Sequence, residues 1–528
     1  MIRDGFTLIA FLIGAAALPA ADPQVPVSQA AAKIDGFLES HWSTHEITPA
    51  DPASDAAFLR RLTLDLLGRI PTMAEIDRFQ NDKSKGKRQK EIRRLIESPE
   101  FPLHFGSVLD QMIQGRYSGN ADFVDYLRRS IRDGKSWDLV FRELMLGPWD
   151  TNERKPANRF LDKRAKTLDV LTVDATRVFF GVDISCAKCH DHPLVEDWTQ
   201  NHFYGMASFF NRTTGGKGKV GEKKDGDVKF QGADGQEQTA KVMFLSGTVI
   251  ETPTATDDQK PKPVSRREQL VEIALQEREF FSRALVNRTW QYLFGRGLID
   301  PVDQMHSAND PAVSGLLEWL AEDFADSGYD LARLVRVLVS TRTYQLSSLW
   351  PHDSDIPDAS HFAVAQLRPL SRRQLSFSLL LATGRAKLSE PNDIESRVER
   401  YVSVRGIERV RQYLTVEKHA ESLASALDAR TADFTSSAGE ALFMSNNPAL
   451  QTLLEADGEE SLTWQLGQMK ETRSLVKKAI RKVLSREPND EELRRMTEWL
   501  DQQTDGRAKA ASQLLWVLVT SAEFRFNH

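Results

Sequence analysis

The chain has 528 residues, which is too long for one hydrophobic core, so roughly two to four domains are expected. Its 41% hydrophobic and 27% charged residues exclude a disordered chain and a bundle of membrane helices. With 69 basic against 75 acidic residues, the net charge of −6 excludes a globally basic nucleic-acid binder.

The N-terminus reads "MIRDGFTLIAFLIGAAALPAAD". Arg3 supplies a thin positive region, Phe6 to Leu18 carries no charge, and small residues follow. The apolar run falls short of the ~20 residues that span a bilayer. It reads as a secretory signal over residues 1–20, with an uncleaved anchor as the alternative. The expected mature chain is exported, periplasmic or at the cell surface, without a transmembrane helix.

Helical periodicity dominates from there to about Phe180, and after a break at the cysteine motif another short helix follows. "FLRRLTLDLLGRIPTMAEIDRF" puts Phe58, Leu59, Leu62, Leu66 and Leu67 on one helix face, with Gly68 as the stop. Thr72 and Glu75 then have capping-box spacing for a second helix. "KRQKEIRRLIESPEF" is a third amphipathic helix that ends before Pro99. Leu168, Leu171, Ala175, Val178 and Phe179 mark a helix closed by Gly181, and Phe203, Met206 and Phe210 mark a short one beyond. Residues 28–212 are therefore expected to form one helical domain.

Residues 213–264 differ. "TTGGKGKVGEKKDGDVKFQGADGQEQ" lacks a helical period and reads as a solvated loop. "AKVMFLSGTVIETP" suits a strand or hairpin, and "DDQKPKP" reads as a linker. From residue 265 to 528 the pattern is helical again. Asp330 is the expected N-cap of "YDLARLVRVLVS", and "NDEELRRMTEWL" and "AASQLLWVLVTSAEF" are two late helices. In "NRTWQYLFGRGLIDPVDQ" the favoured expectation is a helix with Trp290 in the core; the other is an anion site lined by Arg288 and Arg296. The fold class is mainly α: two helical domains separated by a Gly/Lys-rich stretch with a small β-hairpin insertion.

The only two cysteines, Cys186 and Cys189, lie in "ISCAKCHDHPLVEDW" with His190 and His192. C-x-x-C-H is the attachment pattern of c-type haem. Two thiols one turn apart reach the two vinyl groups of one porphyrin, and the next histidine lies under the iron. In that reading Cys186 and Cys189 form thioethers, His190 is the proximal ligand and His192 or Asp191 tunes it. The distal ligand is not evident; Met206 and His202 are candidates, with Met243, Met305 and His306 further away. Two other readings stay open: a small disulfide, which closes too short a loop to stabilise much, and a metal site using Cys186, Cys189, His190 and His192. No G-x-S-x-G, Walker loop or H-E-x-x-H is present, so no hydrolase or nucleotide site is indicated.

These stretches resemble a family of exported proteins of planctomycete-type bacteria. The family joins a cytochrome-c-associated N-terminal domain to a planctomycete-specific C-terminal domain, both of unknown function. The N-terminal likeness lies in "FLRRLTLDLLGRIPTMAEIDRF", "RVFFGVDISCAKCHDHPLVEDWTQNHFYGMASFF" and "KVMFLSGT". The C-terminal likeness lies in "FSRALVNRTWQYLFGRGLIDPVDQ", "RPLSRRQL", "LFMSNNPALQ" and "SREPNDEELRRMTEWL". The resemblance implies the two-domain layout and a family-wide CxxCHxHP motif. Longer members carry a separate cytochrome c domain upstream, which this chain is expected to lack. The expected function is electron transfer by covalent haem c, with a redox protein or exported enzyme as partner and no nucleic acid. The alternative is a non-redox surface or polysaccharide-handling partner whose CxxCH is structural.

Overall fold

The computed structural model describes residues 25–191, 195–232, 235–251, 264–388, 404–427 and 447–528. The expected signal segment, His192 and the expected linker at 257–263 lie outside them. Helix makes up 59% of the structure and, among the described residues, the strands form only two-stranded sheets, so the fold is mainly α.

The first ten helices are α1 (Val27–Thr44), α2 (Asp55–Leu67), α3 (Met73–Asn81), α4 (Lys87–Ile96), α5 (Glu100–Gln114), α6 (Ala121–Arg132), α7 (Trp137–Leu146), α8 (Arg159–Arg164), α9 (Leu168–Phe180) and α10 (Gln200–Phe210). Their ends follow local chemistry. The Ser54 hydroxyl accepts from the Ala57 amide at 3.2 Å to start α2, and Gly68 ends it in the left-handed conformation, φ 72°. Thr72 and Glu75 close the expected capping box on α3, with the Thr72 amide donating to Glu75 Oε2 at 2.8 Å.

The insertion corrects one expectation. The stretch read as a solvated loop holds two hairpins: β1 (Thr213–Gly216) pairs with β2 (Lys219–Glu222), and β3 (Lys229–Gln231) with β4 (Glu237–Thr239). Lys217 and Gly218 between β1 and β2 have φ 57° and 77°, the two positive values of a type I′ turn, so glycine content made the hairpin. "AKVMFLSGTVIETP" closes a short antiparallel turn, in line with the expectation, with one bridge from Met243 to Val249 and the Ile250 amide donating to the Val242 carbonyl at 2.8 Å, while Phe244 and Leu245 turn inward to the core. Glu222 fastens the insertion to the next helix, accepting from the Arg266 amide at 2.7 Å and the Ser265 hydroxyl at 2.6 Å.

Beyond it come α11 (Arg266–Gln276), α12 (Glu279–Phe294), α13 (Leu316–Asp326), α14 (Leu331–Ser340) and α15 (Arg372–Ala382). Asp330 caps α14 as expected, accepting from the Arg333 amide at 3.0 Å. Further helices include Val404–Leu427, Thr472–Leu484, Asp490–Asp501 and Arg507–Thr520.

Packing divides the chain elsewhere than the sequence pattern does. One apolar core runs from Ala30 to Ala363 and draws on helices from both sides of the insertion. A second gathers Leu370 to Phe524 together with Leu64 and Ile70. Helix α2 is the wall between them: buried Arg60 donates to the Phe524 carbonyl at 2.8 Å, and Arg61 to the Leu346 carbonyl at 2.8 Å.

Candidate functional site

The cysteine motif follows α9. Gly181 ends that helix at φ 68°, its amide donating to the Arg177 carbonyl at 3.2 Å. Val182 then bridges to Gln304, and the Met305 amide donates to the Gly181 carbonyl at 3.1 Å. Val182 and Ile184 are buried and pin the segment to the core. Asp183 pairs with Arg177 and accepts from the Ser185 amide at 2.9 Å. Partial burial alone would raise the Asp183 carboxyl, but these bonds bring it below its ordinary value, so it stays ionised.

A single 3₁₀ turn, Cys186–Lys188, carries the thiols. Its only inward residue is Ala187, wholly buried, while Cys186, Cys189, His190 and Asp191 are exposed. Both thiols are free. Helix α10 braces the turn: Tyr204 donates to the Lys188 carbonyl at 3.0 Å and Gln200 Nε2 to the Cys189 carbonyl at 3.0 Å. The Gln200 amide at the start of α10 donates to Asp191 Oδ1 at 2.8 Å. Lys188 reaches Asp169 on α9 at 2.5 Å. Two rigid helices thus hold a turn that presents its sulfurs outward.

The His190 ring is oriented as well. Its Nδ1 lies 2.7 Å from the Asp191 carbonyl oxygen. A carbonyl only accepts, so Nδ1 carries the proton and Nε2 carries the lone pair.

The distal candidates have other work. Met206 is wholly buried, and Met305 is buried against Gly181. His202 Nδ1 accepts from the Thr199 amide at 3.2 Å and so caps α10. Trp290 lies in the core as favoured, stacked on Phe294 with centroids 4.1 Å apart. Arg288 donates to the Arg177 carbonyl at 2.7 Å, which ties α12 to the end of α9, while Arg296 faces Asp300 at 3.9 Å. Arg288 also lines a groove of about 1570 Å³ with His104, Arg128, Arg373 and Glu417.

Sequence reasoning missed a second cluster. His41 on the last turn of α1 and His45 at its C-cap meet His361, with one ligand nitrogen of each within 4.8 Å of the others. The i, i+4 spacing of the first two was visible; the third lies 316 to 320 positions away in sequence.

Residues 33–215 match the family model PSCyt2, a protein of unknown function (DUF1549), and residues 266–500 match PSD1, a protein of unknown function (DUF1553). The chain thus belongs to the class of mainly helical proteins that join these two domains. It is a member of the planctomycete-type PSCyt2–PSD1 family, with the cysteine motif inside the PSCyt2 match. No curated protein and no solved structure matches it.

Proposed function

We propose that the chain is an extracytoplasmic electron-transfer protein, or the electron-accepting component of an oxidoreductase system, with haem c on Cys186 and Cys189. The supporting observation is the tautomer of His190: Nδ1–H is bound to the Asp191 carbonyl, and Nε2 is left as donor beside two free, exposed thiols. A hydrogen bond from Nδ1 to a carbonyl is how a ligating histidine is oriented and made more basic. The donors therefore fit a proximal ligand with two attachment points. Haem, when bound, supplies one-electron exchange at its iron.

The chain's own residues do the rest. Ala187 anchors the turn, and Gln200 and Tyr204 hold its carbonyls, so the backbone that carries the thiols is fastened to α10. The exposed turn leaves the attached group open to a docking redox partner. Export rests on residues 1–20, and no helix among the described residues is long and apolar enough to cross a membrane.

The test is the visible spectrum of protein made in a host with a haem-maturation system. Wild type is expected to be coloured, with bands that sharpen on reduction. His190→Ala is expected to keep covalent haem but lose the wild-type reduced spectrum. A colourless wild type from that host overturns the reading.

A further inference from the structure

We propose that His41, His45 and His361 form a second site, for one divalent transition-metal ion of the zinc type. Nothing in the haem reading uses these residues. His41 Nε2 lies 2.9 Å from His361 Nδ1, and the three ring centroids are 4.3 to 5.1 Å apart. In a tetrahedral site with Zn–N of about 2.0–2.1 Å, ligand nitrogens sit about 3.3 Å apart. The first pair is close to that spacing, and the exposed His45 ring closes the rest by rotating about its side-chain bonds.

Two of the rings are held by the fold. His45 Nδ1 lies 2.8 Å from the His41 carbonyl, so it donates there and leaves Nε2 with its lone pair outward. His361 ends a 3₁₀ turn capped by Asp358, which accepts from the Ser360 amide at 2.9 Å. The buried Trp42 indole donates to the His361 carbonyl at 2.7 Å. Phe362, buried against Trp290, fixes the next residue. The backbone positions of the three residues are thus set by packing before any ion arrives, and the exposed His45 ring adjusts on binding.

The chemistry suits an imidazole-preferring ion. In the His41–His361 contact one ring donates. On binding, that proton passes through solvent to the same ring's other nitrogen, and no proton is lost overall. Three histidine ligands leave a fourth position for water. The ion would bridge α1, from the PSCyt2 match, to a turn in the PSD1 match.

The test uses the full chain without a histidine tag, stripped by chelator, in a Cys186→Ser/Cys189→Ser background so that thiols cannot bind the metal. One equivalent of Zn²⁺ is expected to bind at pH 7.5 and raise the Tm. Co²⁺ is expected to give the visible bands of a tetrahedral site without a thiolate charge-transfer band. His45→Gln, an exposed change that leaves far-UV circular dichroism unaltered, and His361→Gln are each expected to weaken Zn²⁺ binding by more than about 100-fold, beyond the 10–100-fold typical of outer partners. Failure of the background protein to bind Zn²⁺ stoichiometrically, or unchanged affinity in both glutamine variants, overturns the proposal.

Discussion

The Met305 sulfur occupies the space a side chain on residue 181 would fill: a Cβ built on Gly181 meets Met305 Sδ at 2.6 Å. The turn leading into the cysteine motif therefore packs on a residue far along the chain, and at φ 68° with Met305 this close glycine is the favoured residue. Gly181→Ala is expected to cost about 1–3 kcal/mol in urea unfolding, the usual range for a strained residue. Gly134 is the control. It has φ 67° with nothing near its would-be Cβ, so Gly134→Ala is expected to cost less than Gly181→Ala. Equal losses would mean that Met305 contributes no constraint.

Arg69, Glu75, Glu100 and Arg409 form a buried charge cluster. Arg69 pairs with both carboxylates at 2.7 Å, and Arg409 reaches Glu100 from the second core. Breaking such a cluster strands a charge, so Glu100→Ala is expected to cost about 3–5 kcal/mol. Burial alone would raise the two carboxyls, but the facing guanidinium groups bring both below their ordinary value, Glu75 well below. Folded values below unfolded ones mean stability that is present above pH about 4.3 and lost as the pH falls further. Glu75→Gln is expected to flatten that acid limb of the unfolding free energy.

His104 acts at higher pH. Its Nε2 lies 3.0 Å from the Tyr292 hydroxyl, which itself donates to the Asp65 carbonyl at 2.8 Å, so Nε2 must be the donor. Burial first, then the charges of Arg373 and Arg128, push this ring down to about 3. The unfolded ring takes up a proton near 6.5, so stability falls as pH drops from about 6.5 toward 3. His104→Gln is expected to give a shallower fall between pH 6.5 and 5. An identical slope would show that folding does not lower the His104 ring.

Because helices on both sides of the insertion share one core, cleavage within 217–251 is expected to leave the two fragments associated. Size-exclusion chromatography after limited proteolysis checks this; fragments that separate without denaturant would contradict it.

What was legible in the sequence was local. Gly68, the Thr72–Glu75 box, the Asp330 cap and the Gly181 stop each depend on neighbours within a few residues, and each is present in the fold. The buried Trp290 follows from its helix pattern. The place of Cys186 and Cys189 between two helices is legible too, but the bracing of their turn by Gln200 and Tyr204 depends on how α10 folds back. Arg69 inside a charge cluster, and His361 beside His41, depend on tertiary packing that no local pattern encodes. The shared core was hidden for a different reason: composition marks the insertion as a break, while packing closes over it.

The central proposal is covalent haem at Cys186 and Cys189, and intact mass of the denatured, reduced protein tests it most directly. Thioethers survive both treatments, whereas a disulfide or a coordinated ion does not. Wild type matured beside a haem-lyase system is expected to carry the mass of the polypeptide plus one haem, and Cys186→Ala/Cys189→Ala the polypeptide alone. A wild-type mass equal to the bare polypeptide under those conditions would contradict the proposal and leave the motif a structural one.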